Sequence, residues 1–422
     1  MQCAHLELAT ASNVSESFAD NSSDEMGIGS RMEGTGKRPW SDLPPEILSM
    51  IGNRLHTRTD VPRFRSVCCS FRSSIPPPRR DALRFPLRIP CSRSSHSVFL
   101  CDGTVCVLET PDKASSLAVP SPPRSRWLVK FQESSVGDKQ LLSLFSQRRI
   151  TYLPRNFPKI IDSLEFRIVE ICREFRIEYG TLGVVPGIRK VVVSPDCVWT
   201  GLDELEVYSI GEEGRLAYWK YGDENWTYLD DQHGCSYADI IVYEGKVCVI
   251  DQSGMVSLID SSFRTLQKFS PSIYTGGGGC SNYKYLVVSG GDLYVVHRGI
   301  DVYTDDYLDP RFKETFGFRV YRLDRRCGEW VDVGSLGDMA FFLGKHCSYA
   351  ISMHELGGCN ANCIYFMENT DSPYSRNKIN VFSLEDGSIK PLDFPPFLMS
   401  TWGTFNLTQP RFTPSRFQED IN

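Results

Sequence analysis

The sequence predicts a mainly β chain, a ring of repeated antiparallel sheets preceded by a short all-helical segment, and three observations predict it. From about residue 91 onward, short apolar runs are separated by turns containing Gly and Asp. Trp127, Trp226 and Trp330 each follow a polar turn and precede apolar residues, at separations of 99 and 104. The composition, with 12% aromatic residues, 33 Gly and 25 Pro, leans toward a turn-rich β architecture.

Residues 1–39 are rich in Ser, Gly, Asn and acids and offer few large apolar side chains, so ordering them costs more than burial returns. They are expected to be disordered. The text changes at Trp40. Pro44 or Pro45 suits a first helical position, Ser41 or Asp42 is available upstream as a capping acceptor, and Glu46 lies near the positive helix end. Ile47, Leu48, Ile51 and Leu55 then share one helix face, which predicts a helix ending near His56. A second start at Thr59-Asp60 is followed by Val61, Phe64, Val67, Cys68 and Phe71 at helical spacing, and Pro76-Pro77-Pro78 stops the pattern. Two or three helices of this length cannot bury all these apolar faces against one another, so part of that surface is expected to bind a partner.

The strand-like part reads as hairpins. Asp102-Gly103, Glu244-Gly245, Gly290-Gly291 and Asp386-Gly387 stand as tight turns between apolar runs, whereas 159–178 is ambiguous. The tryptophan separations are close to two units of about 50 residues, the length of a kelch-type blade, which gives a β-propeller of about six blades. Radial repetition also leaves few open sheet edges. The expected organisation is a disordered segment 1–39, a helical domain 40–78, a linker 79–94, a propeller 95–412 and a tail 413–422.

A net charge of −6 creates no field that gathers phosphates, so bulk electrostatics give no support for nucleic-acid binding. Fifteen cysteines without any CxxC spacing fit reduced thiols in the cytoplasm and/or nucleus. The acidic first 39 residues lack a signal-peptide core, and no run of 18 uncharged apolar residues exists, so no membrane association is expected.

Residues 40–75 resemble the F-box, whose usual text begins near Leu-Pro-x-Glu-Leu-Leu and ends in Val-Cys-x-x-Trp-Arg. Leu43-Pro44-Pro45-Glu46-Ile47-Leu48 supplies the first part and Val67-Cys68-Cys69-Ser70-Phe71-Arg72 the second, with Phe71 where the family commonly has Trp. Residues from about 95 to 410 resemble the DUF295 domain of plant F-box proteins, also described as kelch-like, most tellingly over Trp330–Gly344 and Asn362-Cys-Ile-Tyr-Phe. The resemblance implies a non-catalytic substrate-recognition subunit of an SCF-type E3 ubiquitin ligase. Its F-box would bind a Skp-type adaptor, and through it cullin and a RING subunit, while the propeller binds a target protein that the sequence does not identify. The adaptor-binding residues implied are Leu43, Pro44, Pro45, Glu46, Ile47, Leu48, Ile51 and Leu55, with Val61, Phe64, Val67, Cys68 and Phe71. Such a receptor works by proximity, holding a target lysine near a ubiquitin-loaded enzyme.

Other constellations are weaker. His346-Cys347, His354, Cys359 and Cys363 gather metal-capable side chains, but Cys-x₃-Cys and the lack of a paired His motif read as strand and loop positions. Gly276–Gly279 lacks the Lys-Ser/Thr of a phosphate loop, and Asp301, Asp305, Asp306 and Asp309 lack the glycine and terminal glutamate of a calcium loop. No metal, cofactor or catalytic residue is assigned. The rival reading is a propeller scaffold, or a carbohydrate- or small-molecule-binding protein, without ubiquitin transfer.

Overall fold

The structure, a computed structural model, describes residues 40–392 apart from 56, 58–59, 78–83, 92–96, 110–125, 134–138, 146–148, 151–156, 158–160, 162–165, 181–182, 230–235, 261, 263–264, 274–282, 304–311, 355, 357–358 and 369–378. The expected disordered segment 1–39 and the C-terminal tail 413–422 lie outside the described residues. The chain divides into two units, Met1–Pro44 and Pro45–Asn422. In the first, Trp40–Asp42 form one 3₁₀ turn, and the Leu43 amide donates to the Trp40 carbonyl at 3.3 Å.

The second unit opens with α1 (Pro45–Gly52), α2 (Asp60–Ser66) and α3 (Cys69–Ser74). Pro45 stands at the start of α1, where a missing N–H costs nothing. The Thr57 hydroxyl accepts the Asp60 amide at 2.9 Å and so starts α2. The single long pattern from Asp60 to 75 is broken after Ser66, with Cys68 extended, and the helices become three. Leu48, Val61, Phe64, Phe71 and Ile75 are buried together, with the Phe64 and Phe71 rings 4.7 Å apart. Gly52 lets the helices close up, because a Cβ there would lie 2.4 Å from Ile75 Cγ2.

Five strand arrays follow. The first holds β1 (Leu87–Ile89), β2 (Val98–Glu109), β3 (Arg126–Glu133), β4 (Lys139–Leu142), β5 (Arg167–Tyr179) and β6 (Gly183–Val184). The second holds β7 (Ile188–Ser194), β8 (Glu206–Gly211), β9 (Leu216–Lys220) and β10 (Thr227–Tyr228). The third comprises β11 (Tyr237–Tyr243), β12 (Lys246–Asp251), β13 (Val256–Asp260) and β14 (Thr265–Lys268). In the fourth are β15 (Tyr283–Ser289), β16 (Asp292–Tyr303), β17 (Phe312–Asp324) and β18 (Glu329–Asp332). The fifth is β19 (Met339–Leu343), β20 (Ser348–Ser352), β21 (Cys363–Met367), β22 (Ile379–Ser383) and β23 (Ile389–Pro391). A single pairing, Phe175 with Val191, joins the first array to the second.

The fold is mainly β and of the propeller type. The inner strands β5, β7, β11, β15 and β20 are neighbours in that order, and β20 returns to β5. An apolar cluster fills each interval: Phe175 with Val191, Ile210 with Ile240, Ile250 with Leu286, Val296 with Phe341, and Phe342 and Tyr349 with Val105. Among the described residues the return from the last array to the first is made by side chains, with no strand pairing across it. The tryptophan spacing led to an expectation of about six units; the described strands form four hydrogen-bonded sheets, which become five arrays when the ten-stranded sheet is divided at the Phe175–Val191 pairing. The units are unequal in length, from Tyr237–Lys268 to the much longer first array.

The turn readings divide. Glu244 and Gly245 adopt positive φ, 50° and 73°, as a two-residue turn between Tyr243 and Lys246 requires, and Gly290-Gly291 does the same between Ser289 and Asp292. Asp102-Gly103 is not a turn, which corrects that reading. Both residues lie inside the continuous strand β2, opposite Phe175 and Glu174, and Asp102 is kept in the sheet by Arg173 at 2.7 Å. Gly103 is needed for space, since a Cβ there would meet the Glu174 side chain at 3.2 Å. The ambiguous stretch 159–178 contains β5 from Arg167 onward.

The tryptophans repeat a job as well as a spacing. Trp226, just before β10, donates its indole N–H to Pro90 O at 3.1 Å, and Trp330 of β18 donates to Pro271 O at 3.0 Å. Trp330 thus ties its outer strand to the segment just before its own array, whereas Trp226 ties its strand back to the β1–β2 connection of the first array. Trp127 sits instead on β3, buried, with no hydrogen-bond partner for its indole nitrogen among the described residues.

Candidate functional site

The residues implied as adaptor-binding do not form one exposed surface. In the first unit Leu43 is half-buried and Pro44 exposed. In the second, Leu48, Val61, Phe64 and Phe71 are buried in the helices' own core, Leu55 and Cys68 are half-buried, and Pro45, Glu46, Ile47, Ile51 and Val67 are exposed. The division follows from helix geometry. Gly52 faces Ile75 and Phe64 and Leu48, one turn earlier, is buried, while Ile47, Met50 and Ile51, at i, i+3 and i+4, line an exposed side of α1. Met50, 54% exposed, is the member of this stripe that the sequence reading omitted, although the same spacing pointed to it. Val67, at 61%, is exposed because the chain leaves the helix there. An apolar stripe on eight helical residues, left uncovered beside a filled core, has the form of a docking surface for another polypeptide.

A second feature is a partly open cavity of about 330 Å³ lined by inner strands and their connections. Arg173, Lys190, Asp196 and His346, with Cys172, Cys347 and Tyr349, are its charged or titratable lining, against apolar neighbours such as Val191 and Ile240. Lys190 pairs with Asp239 at 2.7 Å, and the other Asp239 oxygen accepts the Leu286 amide at 2.7 Å, so one carboxylate ties three arrays together. Arg173 is held by Asp102 and Asp196.

Beside the cavity, Glu174 is fully buried and receives Lys130 at 3.0 Å, Arg176 at 3.4 Å and the Cys347 thiol at 3.4 Å. Burial pushes the Glu174 carboxyl up, but Lys130, His346 and Arg176 together hold it below the ordinary value. Burial drives His346 down to about 4 against the pull of Glu174, so its ring is neutral at pH 7. Burial likewise raises Cys101, Cys248 and Cys359 to about 12, which makes them poor nucleophiles.

Of the metal-capable residues noted in the sequence, Cys347 is engaged by Glu174 and His354 is exposed. Among the described residues no group of three His, Cys, Asp or Glu side chains could hold a metal ion. Gly276–Gly279, Asp305, Asp306 and Asp309 lie outside the described residues. Among the described residues no helix is long and apolar enough to cross a membrane.

A ring of arrays that are antiparallel except for the parallel β19–β21 pairing, carrying three small helices with an uncovered apolar stripe, defines a propeller protein with an N-terminal docking module. The sequence profile of the KIB1-4 β-propeller matches residues 97–383, and the chain belongs to that family. Its relatives include three Arabidopsis thaliana proteins. At5g60060 is 32% identical over 80% of this chain and 90% of its own length. The F-box protein At4g35733 is 30% identical over 83% and 93%, and the F-box protein At2g26160 is 28% identical over 81% and 99%. The chain thus falls among plant F-box proteins with a propeller domain.

Proposed function

We propose that the protein is the substrate-recognition subunit of an SCF-type E3 ubiquitin ligase. In this reading the helices bind a Skp-type adaptor, which brings cullin and the RING subunit, and the propeller selects the target protein. The observation that carries the reading is the Ile47, Met50, Ile51 and Val67 surface, uncovered on a helical module whose core is already complete, in a chain whose relatives are F-box proteins. The protein itself makes and breaks no bond; it raises the effective concentration of target lysine near the ubiquitin donor. A stable adaptor contact buries ~800 Å² per partner, more than this stripe alone supplies, so residues around it contribute.

The test separates the two sides of α1. Ile47→Asp with Ile51→Asp is expected to weaken binding of a purified Skp-type adaptor at least tenfold, with helical content and unfolding midpoint unchanged. Undiminished binding overturns the assignment. Twelve free cysteines among the described residues support action in the cytoplasm and/or nucleus; imaging a tagged chain confined to a secretory compartment would oppose it. The cavity supports a second reading, binding of a small molecule, which native mass spectrometry of the purified chain would reveal as a bound mass.

A further inference from the structure

We propose that Arg63 and Trp199 fix the orientation in which the propeller presents its target to the ligase core, a positioning role that rests on the receptor reading above. Arg63 lies on α2 between the buried Val61 and Phe64, so its backbone is held by the helical core. Its guanidinium reaches out of that core and donates from one nitrogen to Ile168 O at 2.8 Å and from the other to Phe166 O at 3.0 Å. Asp60, one turn earlier, lies 4.0 Å from the same guanidinium. Ile168 is the second residue of β5, an inner strand, and is paired with Leu108 of β2, so the anchor sits on the ring's own framework.

The second attachment is independent of the first. Trp199, in the connection after β7, donates its indole N–H to Leu55 O at 2.9 Å, just past the end of α1. Two different helical elements are thus gripped from two different arrays, which fixes rotation as well as separation. None of the ring's apolar clusters among the described residues includes a side chain from α1, α2 or α3. Directional hydrogen bonds to fixed carbonyls therefore carry this junction. A planar guanidinium forking onto two carbonyls constrains angle in a way that a single ammonium does not. Proximity catalysis depends on geometry, because a lysine held at the wrong angle gains nothing from being near.

The junction can be read directly in the full-length chain. Cys69 on α3 and Cys327 in the turn between β17 and β18 are exposed and accept spin labels, with the other accessible cysteines replaced by serine. The expected wild-type result is one narrow distance distribution, broadened in the double variant Arg63→Gln, Trp199→Phe. An equally narrow distribution in that variant overturns the clamp. Should Arg63→Gln disturb the helices, Trp199→Phe alone decides, since it removes one N–H and leaves the helical core untouched.

The functional arm maps self-ubiquitination in a ligase reconstituted with adaptor, cullin and RING subunit. Wild type is expected to carry ubiquitin on a restricted subset of exposed lysines such as Lys220, Lys246, Lys268, Lys345 and Lys390, and the double variant on a wider set at equal adaptor affinity. An identical lysine map overturns the positioning role. Loss of adaptor binding by the wild type itself would instead overturn the receptor reading, and the distance measurement would still decide whether the clamp exists.

Discussion

The helical module and the ring solve burial in opposite ways. The module encloses five large apolar side chains behind Gly52 and leaves Ile47, Met50, Ile51 and Val67 uncovered. The ring buries both sides of its inner strands, and also buries charge: Lys130, Glu174 and Arg176 are each almost inaccessible, and Arg298 with Glu368 at 2.6 Å bridges the fourth and fifth arrays. A small domain without enough interior must present apolar surface. A large closed arrangement has interior to spare and can seal ion pairs inside it, provided each charge is matched. The difference teaches where to look for a partner: on the uncovered helices rather than on the ring's satisfied intervals.

The largest effect should come from unmatching the ring's charges. Glu174→Ala leaves buried Lys130 without its carboxylate, while Arg176 keeps Glu178, and is expected to cost about 3–5 kcal/mol in denaturant unfolding. A loss below 1 kcal/mol would show that water or a rearrangement reaches the site.

Acid should find the same place next. His346 is neutral in the folded state down to about pH 4, whereas in the unfolded chain it takes a proton near 6.5. Its folded value is depressed, so the unfolded state binds more protons between these limits. Stability contributed by neutral His346 is therefore full above pH 6.5 and is lost as pH falls toward 4. The loss is on the order of 3 kcal/mol, with Glu174 opposing and Lys130, Lys345 and Arg176 reinforcing it. His346→Gln should flatten the stability profile across that window; an unchanged slope would assign the dependence to other groups.

The module answers to volume rather than charge. Gly52→Ala places a methyl against Ile75 and is expected to cost roughly 1–3 kcal/mol, appearing as faster amide exchange in 45–75 while the ring strands keep their protection. Equal acceleration in both regions would mean that they unfold together. The smallest expected effect belongs to the repeated staple: Trp330→Phe forfeits one indole hydrogen bond, about 1 kcal/mol in thermal unfolding. Trp226→Phe should match it if the two tryptophans do the same work.

Much of this was legible because it is local. The start at Pro45, the second helix beginning at Asp60 and the positive-φ Glu244-Gly245 turn are all displayed by a short window of sequence, although the hydroxyl that caps the second helix is Thr57, which the sequence reading did not name. The Asp102-Gly103 reading failed because its cue is identical to a turn's, while the decisive partners, Arg173 and Glu174, come from a strand some seventy residues away. The adaptor-facing set was read as one face because an apolar pattern shows that burial occurs, not by what. Only the packing of α1 on α3 sorts Leu48 inward and leaves Met50 outside.

The sequence by itself determined the β class, the helical module and its position, since these follow from periodicity and backbone preference along the chain. Tertiary structure alone decided the grouping into five arrays among the described residues, the closure of the ring by side chains, and the grip of Arg63 and Trp199 on the helices. Those depend on contacts between residues distant in the chain, where the energy of a pair is set by geometry that no local pattern encodes.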